Sequence, residues 1–258
     1  MTNTKYGLMK AEERTKLPDV NLLCVPHGSE RLIVARFGPN TYVANRSEMA
    51  QHYWNSSQRP DVSFRHGTTS ESISASAYNF RNIAKPEILD PNWLQSGYIV
   101  RTSEGVFANP PLDGQGKPIV DEQELKKLLN GVKPTKLKGH SLYIVDNSAD
   151  LRDFGFAEND TFTRGIQSGT TFAQGGLARV LEHTKKPAKV LKGISSKRNY
   201  LDGVNVYGFD AVRDPVLRVA DLYSNRYDDR LSVYGVNWSG ANGGFAFGVL
   251  DKSPKATQ

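Results

Sequence analysis

Sulfur chemistry is nearly absent from this chain. Its 258 residues carry one cysteine, Cys24. A single thiol excludes a disulfide framework and any metal site built from several thiolates. Cys24 sits in the run Val20-Asn21-Leu22-Leu23-Cys24-Val25, which reads as the place of a buried, inert thiol. Long apolar runs are absent too, and none reaches the ~20 residues that span a bilayer as a helix. The opening segment MTNTKYGLMKAEERTKL lacks the basic-then-apolar order of a secretory leader. These absences predict a cytoplasmic protein without a membrane span, a profile that a virion component would share.

The signatures of catalysis are also missing. No HExxH, GxSxG, Walker-type loop or GxGxxG occurs. Gly114-Gln115-Gly116-Lys117 lacks the preceding strand and following helix of a phosphate cradle. Asp228-Asp229 has no spaced acidic partners, so it reads as a solvated turn rather than a calcium corner. The expectation is no cofactor, no metal and no catalytic residue. One motif stands against it. His66-Gly67-Thr68 follows a short extended segment, and such a turn binds the ribose of NAD in ADP-ribosyltransferases. The tyrosine and glutamate contexts of that family are not recognisable here, and a turn histidine beside a helix cap is the competing reading.

What the chain does have is positive charge, with 33 Lys and Arg against 27 Asp and Glu, a net +6. Lys126, Lys127, Lys133, Lys136 and Lys138 form one cluster. A second comprises Lys185, Lys186, Lys189, Lys192, Lys197 and Arg198. A basic surface can hold nucleic acid. Neither cluster is interleaved with the aromatics that stack single-stranded bases. Solvated helix ends and loops are therefore expected, with a nucleic-acid binder as the alternative and no obligate nucleic acid in the main reading.

Periodicity places the elements. Val20–Val25 and Arg31–Phe37 read as strands around Pro26-His27-Gly28-Ser29, with a turn at Gly38-Pro39-Asn40 and a short extended piece at Tyr42-Val43. A helix starting from Asn45 or Ser47 runs to about Trp54, and a loop follows over Asn55–Pro60. Thr69 or Ser70 caps a first main helix over Glu71–Phe80, with Ile73, Ala77 and Phe80 on one face. Trp93–Val100 and Gly105–Ala108 form a strand pair, and Asp121 caps a helix over Glu122–Asn130. Ser141–Val145 and Val204–Phe209 are strands. A second main helix opens at Thr170 or Thr171 and ends near Thr184, with Gly175-Gly176 a costly pair in its first half. Phe154, Phe156 and Phe162 plug the core from a loop. The interspersed order argues α+β with antiparallel sheets and two main helices, in a single domain over residues 1–258.

The most informative stretch is Pro215–Leu250. Arg230-Leu231-Ser232-Val233-Tyr234-Gly235-Val236 alternates with period two, which puts Leu231, Val233 and Gly235 on one face and Ser232, Tyr234 and Val236 on the other. Phe245, Phe247 and Val249 form the inward face of the last strand. The outward set is rich in Tyr, Ser, Asn, Asp and Gly, the palette of antibody-like binding surfaces. Those residues are also turn formers, so an ordinary polar hairpin fits composition equally well.

This stretch resembles the variable region of ligand-binding proteins diversified by retroelements, specifically the archaeal and viral type with a C-type lectin fold. The resemblance rests on the RVADL lead-in, on Arg230-Leu231-x-Val233-x-Gly235, on Trp238, and on Gly243-Gly244-Phe245-Ala246-Phe247-Gly248-Val249. Leu151–Asp210 is similar less sharply. The family mutates adenines, chiefly in asparagine codons, which at the first two bases cannot yield Lys, Glu, Gln, Met or Trp. Tyr223–Leu250 contains no Lys, Glu, Gln or Met.

The resemblance implies a C-type-lectin-like α+β domain with an elaborated N-terminal half and a variable region over about 215–250. It implies that Tyr223, Ser224, Asn225, Tyr227, Asp228 and Ser232 are variable, ligand-contacting positions. Tyr234, Val236, Asn237, Ser239, Ala241 and Asn242 complete that set. Arg230, Leu231, Val233, Gly235, Trp238, Phe245, Phe247 and Gly248 would be fixed scaffold. The implied function is binding of a protein or cell-surface ligand. The calcium ligands of sugar-binding lectins are not evident.

Overall fold

The computed structural model describes residues 22–51, 53–56, 59–82, 94–146, 148, 150–196, 200–225, 228–237, 240 and 243–250. The chain opens with a hairpin of β1 (Leu22–His27) and β2 (Glu30–Asn40), turned at Gly28. β2 continues through Gly38-Pro39-Asn40, where the sequence predicts a turn. Pairing to the last strand of the chain holds that segment extended: Asn40 lies opposite Gly244. Helix α1 (Tyr42–Gln51) starts earlier than expected and takes in Tyr42-Val43. Thr41 begins it, its hydroxyl accepting from the Ala44 amide at 3.0 Å. β3 (Tyr53–Ser56) and β4 (Arg59–His66) form a second hairpin where a loop is expected over Asn55–Pro60.

Helix α2 (Thr69–Asn82) is the first main helix. Its cap is Thr68, one residue before the expected ones. The Thr68 amide donates to Glu71 Oε2 at 2.9 Å, and the Glu71 amide donates to Thr68 Oγ1 at 3.3 Å. This reciprocal pair is a capping box. Arg65 adds a two-pronged contact to the Glu71 carboxylate at 2.6 and 2.7 Å. The Arg65 guanidinium and the Thr68 amide hold the Glu71 carboxyl below the usual range, against the pull of burial.

The middle of the chain builds β5 (Leu94–Arg101), β6 (Gly105–Ala108), α3 (Glu122–Lys127), β7 (Thr135–Leu137), β8 (His140–Ile144) and β9 (Gly155–Glu158). Asp121 caps α3 by accepting from the Glu124 amide. Phe156 belongs to β9, and Phe107, Phe154 and Phe156 pack as a buried aromatic cluster with Leu125. Next come β10 (Gly165–Gln167), α4 (Gly169–Gln174), α5 (Gly176–Leu181) and α6 (Lys189–Ile194).

The second main helix of the sequence reading is therefore two short helices. Ser168 caps the first, and Gly175 breaks the pair with an extended backbone, φ −74° and ψ 156°. The break follows from Gly175-Gly176, since a Cβ at Gly176 would lie 2.1 Å from Thr161 Oγ1. The glycine lets the two backbones close up, and a continuous helix is lost.

The chain ends with β11 (Val204–Tyr207), β12 (Val216–Asn225), β13 (Arg230–Asn237) and β14 (Gly244–Leu250). The strands follow the order β10-β11-β13-β12-β5-β6-β9-β8-β7. β14 pairs with β2 and β4, and joins this sheet through one bridge, Phe245 opposite Leu94. Pairing is antiparallel throughout except at β11–β13 and at that bridge. One core unites the inner face of the main sheet with α2, α4, α5 and α6, through residues such as Ile73, Leu94, Leu177, Leu191, Leu231 and Phe247. Burial of each such side chain contributes about 1.5–3 kcal/mol before entropy is counted.

Candidate display face

Strand registry decides which side chains share the outer face of β10, β11, β13 and β12. One cross-strand row reads Ile166, Asn205, Ser232, Tyr223. The next reads Tyr207, Tyr234, Asp221 and, on β5, Gln95. A bulge then places Asn237 opposite Val219, which faces Tyr98. Residues directly opposite each other point to the same side of a sheet. The other side of β13 holds Leu231 and Val233, both at 0% exposure.

Three tyrosines form a ridge across this face. Tyr207 meets Tyr234 edge-on at 5.9 Å between ring centroids, and Tyr234 stacks on Tyr223 at 6.4 Å. Each pair lies within the range of favourable aromatic contact. Tyr207 is 58% exposed, Ile166 62% and Val236 38%. The charges at both ends of the face are occupied locally. Arg230 lies 3.8 Å from Asp202 and 3.9 Å from Asp228, and Arg164 lies 3.6 Å from Asp210.

Ser232 and Ser224 do not meet the expectation of an outward, solvated side chain. Ser232 is 1% exposed, and Ser224 is also buried. Ser232 sits on the outer face, but Tyr223 stands directly across from it and Tyr234 two residues on. A short side chain between two large rings is covered by them. Ser224 pairs with Leu231 and so shares the inner face. Tyr223 and Tyr234 are half-buried, Asp228 is exposed, and Asn225 closes β12. Tyr227, Trp238, Ser239, Ala241 and Asn242 lie outside the described residues. Among the scaffold positions, Leu231, Val233, Gly235, Phe245, Phe247 and Gly248 are buried, and Arg230 is half-buried.

Three features of the face escape sequence reasoning. Asp221 is fully buried at the end of the second row. Its Oδ2 accepts from Asn237 Nδ2 at 2.5 Å, and its Oδ1 has no hydrogen-bond partner among the described residues. Burial drives its carboxyl well above the usual range, and the Asn237 amide opposes this only in part. Arg101 is the second. It donates to the Asp210 carbonyl at 2.6 Å and the Gly235 carbonyl at 3.4 Å, which fixes the segment after β11 against β13. Tyr207 is the third, placed beside Tyr234 by a parallel pairing between strands far apart in sequence.

His66 lies outside the face and is closed off. Its ring stacks on Tyr42 at 3.9 Å between centroids, and Tyr42 meets Tyr98 edge-on at 4.5 Å. Both ring nitrogens are sealed from solvent and without hydrogen-bond partners among the described residues. Burial first, and the Arg46 charge second, lower its pKa to about 3. A neutral ring in that position packs on Tyr42 with its two nitrogens turned away from solvent. Several lysines of the first cluster are held locally: Lys126 contacts Glu104 at 2.8 Å and Glu122 at 3.0 Å, and Lys136 donates to Ser141 at 2.8 Å. Among the described residues no group of three or more His, Cys, Asp or Glu is placed to hold a metal ion. No helix among them is long and apolar enough to cross a membrane.

No protein-family model matches this chain, and no curated protein matches it. A solved structure does. It comes from work on the accommodation of massive sequence variation in Nanoarchaeota by the C-type lectin fold. The match has a TM-score of 0.52 at 13% sequence identity and covers 87% of this chain and 100% of the other. At that identity the likeness shows the fold, and the fold is that of C-type lectins.

Proposed function

We propose that this chain is a diversified ligand-binding protein, in which a fixed C-type lectin scaffold carries a hypervariable face encoded by the last part of the chain. On this reading it binds a protein or cell-surface ligand through that face, and it is not an enzyme. The observation that carries the proposal is the division within β13. Leu231 and Val233 are wholly buried, while Tyr234 and Val236 alternate with them on the open side of the sheet. Substitutions on an open face usually change stability by less than ~0.5 kcal/mol, so such a strand tolerates repeated change. The neighbouring C-type lectin fold, described for massive sequence variation, supports the same reading.

The test is genomic. The DNA flanking the coding sequence should contain a near-copy of the segment for Pro215–Leu250 and an adjacent reverse-transcriptase gene. Clones from one population should differ at codons for Tyr223, Asp228, Tyr234 and Val236, while those for Leu231, Val233 and Phe247 stay constant. A single uniform sequence with no second copy sinks the proposal. The enzyme reading centred on His66 predicts loss of NAD binding in His66→Ala, and its sealed ring nitrogens give that reading no support.

A further inference from the structure

The outer face of the sheet does not end where the variable segment ends. β12 and β13 supply Tyr223, Tyr234 and Val236. β11 and β10 precede that segment in the chain, yet they continue the same face with Tyr207 and Ile166. These two are among the most exposed large hydrophobic side chains of the described residues, at 58% and 62%. Among the described residues, both side chains stand largely in water. We infer that Tyr207 and Ile166 form a constant half of the binding face, and that a folded protein partner covers both halves together.

Size argues for this. Strands lie ~4.8 Å apart and rise ~3.3 Å per residue, so β12 and β13 alone offer a strip about 10 Å wide and 25 Å long. A stable protein interface takes about 800 Å² from each partner, a patch roughly 15 Å in radius. Such a patch centred on Tyr234 reaches Tyr207, whose ring centroid is 5.9 Å away. It also reaches Ile166, which lies two strands over, ~10 Å across the sheet. A partner of ordinary size cannot sit on the variable strands and avoid the constant ones.

Chemistry argues for the kind of partner. The centre of the face carries Ile166, Tyr207, Tyr223, Tyr234 and Val236, and the nearby charges at its two ends are paired locally. A surface with tyrosines and aliphatic side chains at its centre fits a partly apolar protein patch, with the tyrosines as rigid anchors. The division also has a physical use. The constant rings supply apolar contact area to every variant, and the variable positions decide which partner benefits from it.

This inference rests on the display reading, and the test separates the two. A library of the full chain varied at Tyr223, Asp228, Tyr234 and Val236 is selected by display against immobilised lysozyme as a folded probe. Tyr207→Ser and Ile166→Ser are then placed together into the selected clones. Affinity should fall at least ten-fold in most clones, while the melting temperature of the unbound chain stays within about 2 °C of the parent clone's. Leu112→Ser, which removes an exposed hydrophobic side chain from a loop outside the display face, should leave affinity unchanged. Clones that keep their affinity within two-fold after the double substitution overturn the inference and leave the display reading standing. A library that yields no binder overturns both.

Discussion

The last two strands of the chain look alike and are constrained in opposite ways. β13 (Arg230–Asn237) and β14 (Gly244–Leu250) are similar in length, and both mix glycine with apolar and aromatic residues. β14 is buried at every position. It lies between β2 and β4 and touches β5, so both its faces and both its edges are occupied. β13 has both edges paired, to β11 and β12, but one face open. A strand tolerates variation where a face is free, whatever its composition. Burial on both faces, rather than residue type, leaves β14 no free side.

The sharpest way to break this comparison is a charge on the buried side of β13. Leu231→Asp should abolish the cooperative unfolding transition in a thermal melt, because an unpaired carboxylate in the core costs several kcal/mol. Tyr234→Ala, three residues on, should leave the melt cooperative, with only a modest drop in its midpoint. Equal effects of the two would dissolve the division between the faces. In β14 no position offers such a contrast. Gly248→Val would place its Cβ 2.4 Å from Phe37 Cε2, and overpacking of this kind costs about 1–3 kcal/mol. Its unfolding midpoint in urea should fall accordingly, while Val236→Ser on β13 should hold the parent midpoint.

The next effect concerns pH and two buried titratable groups, one beside each strand. His66 ends β4, beside β14, with a pKa lowered to about 3. The unfolded chain binds a proton there below about 6.5, and the folded chain does not. Its contribution to stability is therefore complete above 6.5 and declines as pH falls from 6.5 towards 3. His66→Phe should flatten that part of a stability-versus-pH curve measured by denaturant titration; an unchanged curve would show that the ring titrates freely. Asp221, on β12 beside β13, has the opposite sign. Its raised pKa means that stability declines as pH rises above the ordinary aspartate value, so Asp221→Asn should be neutral or stabilising at pH 7.

The smallest effects distinguish positions within the open face itself. Asn237 donates to the buried Asp221, so Asn237→Ala should cost about 1–3 kcal/mol. The cost for Val236→Ser should stay near ~0.5 kcal/mol or less, and Tyr234→Ala, which forfeits two aromatic contacts, should fall between the two. Chemical denaturation of the three variants checks this ranking. The sequence reading groups Asn237 with the freely varied positions, and the hydrogen bond shows that its amide also serves the fold.

Legibility followed the range of the interactions. The alternation of Leu231, Val233 and Gly235 against Tyr234 and Val236 is local, and it appears in the sequence because a strand's two faces alternate regardless of context. The helix beginning at Thr69 was visible in its Ile73, Ala77 and Phe80 spacing, but its cap was read at Thr69 or Ser70, and the Thr68–Glu71 box lies one residue earlier. The break at Gly175 was half visible. The glycine pair is in the sequence, but the reason for it, the close approach of Thr161, comes from a separate segment. The shelter over Ser232 was not visible, because it depends on a ring from the neighbouring strand.

By itself the sequence determined the alternating strands, the first main helix, and the lack of metal-binding and catalytic motifs. These depend on residue type and on spacings of two to four residues, which the chain carries with it. Only the tertiary structure decided that β14 is enclosed on both sides, that Asp221 lies buried and bonded to Asn237, and that Tyr207 stands beside Tyr234. Each of these depends on pairing between strands, and such pairings are chosen by the packing of the whole core rather than by either strand alone.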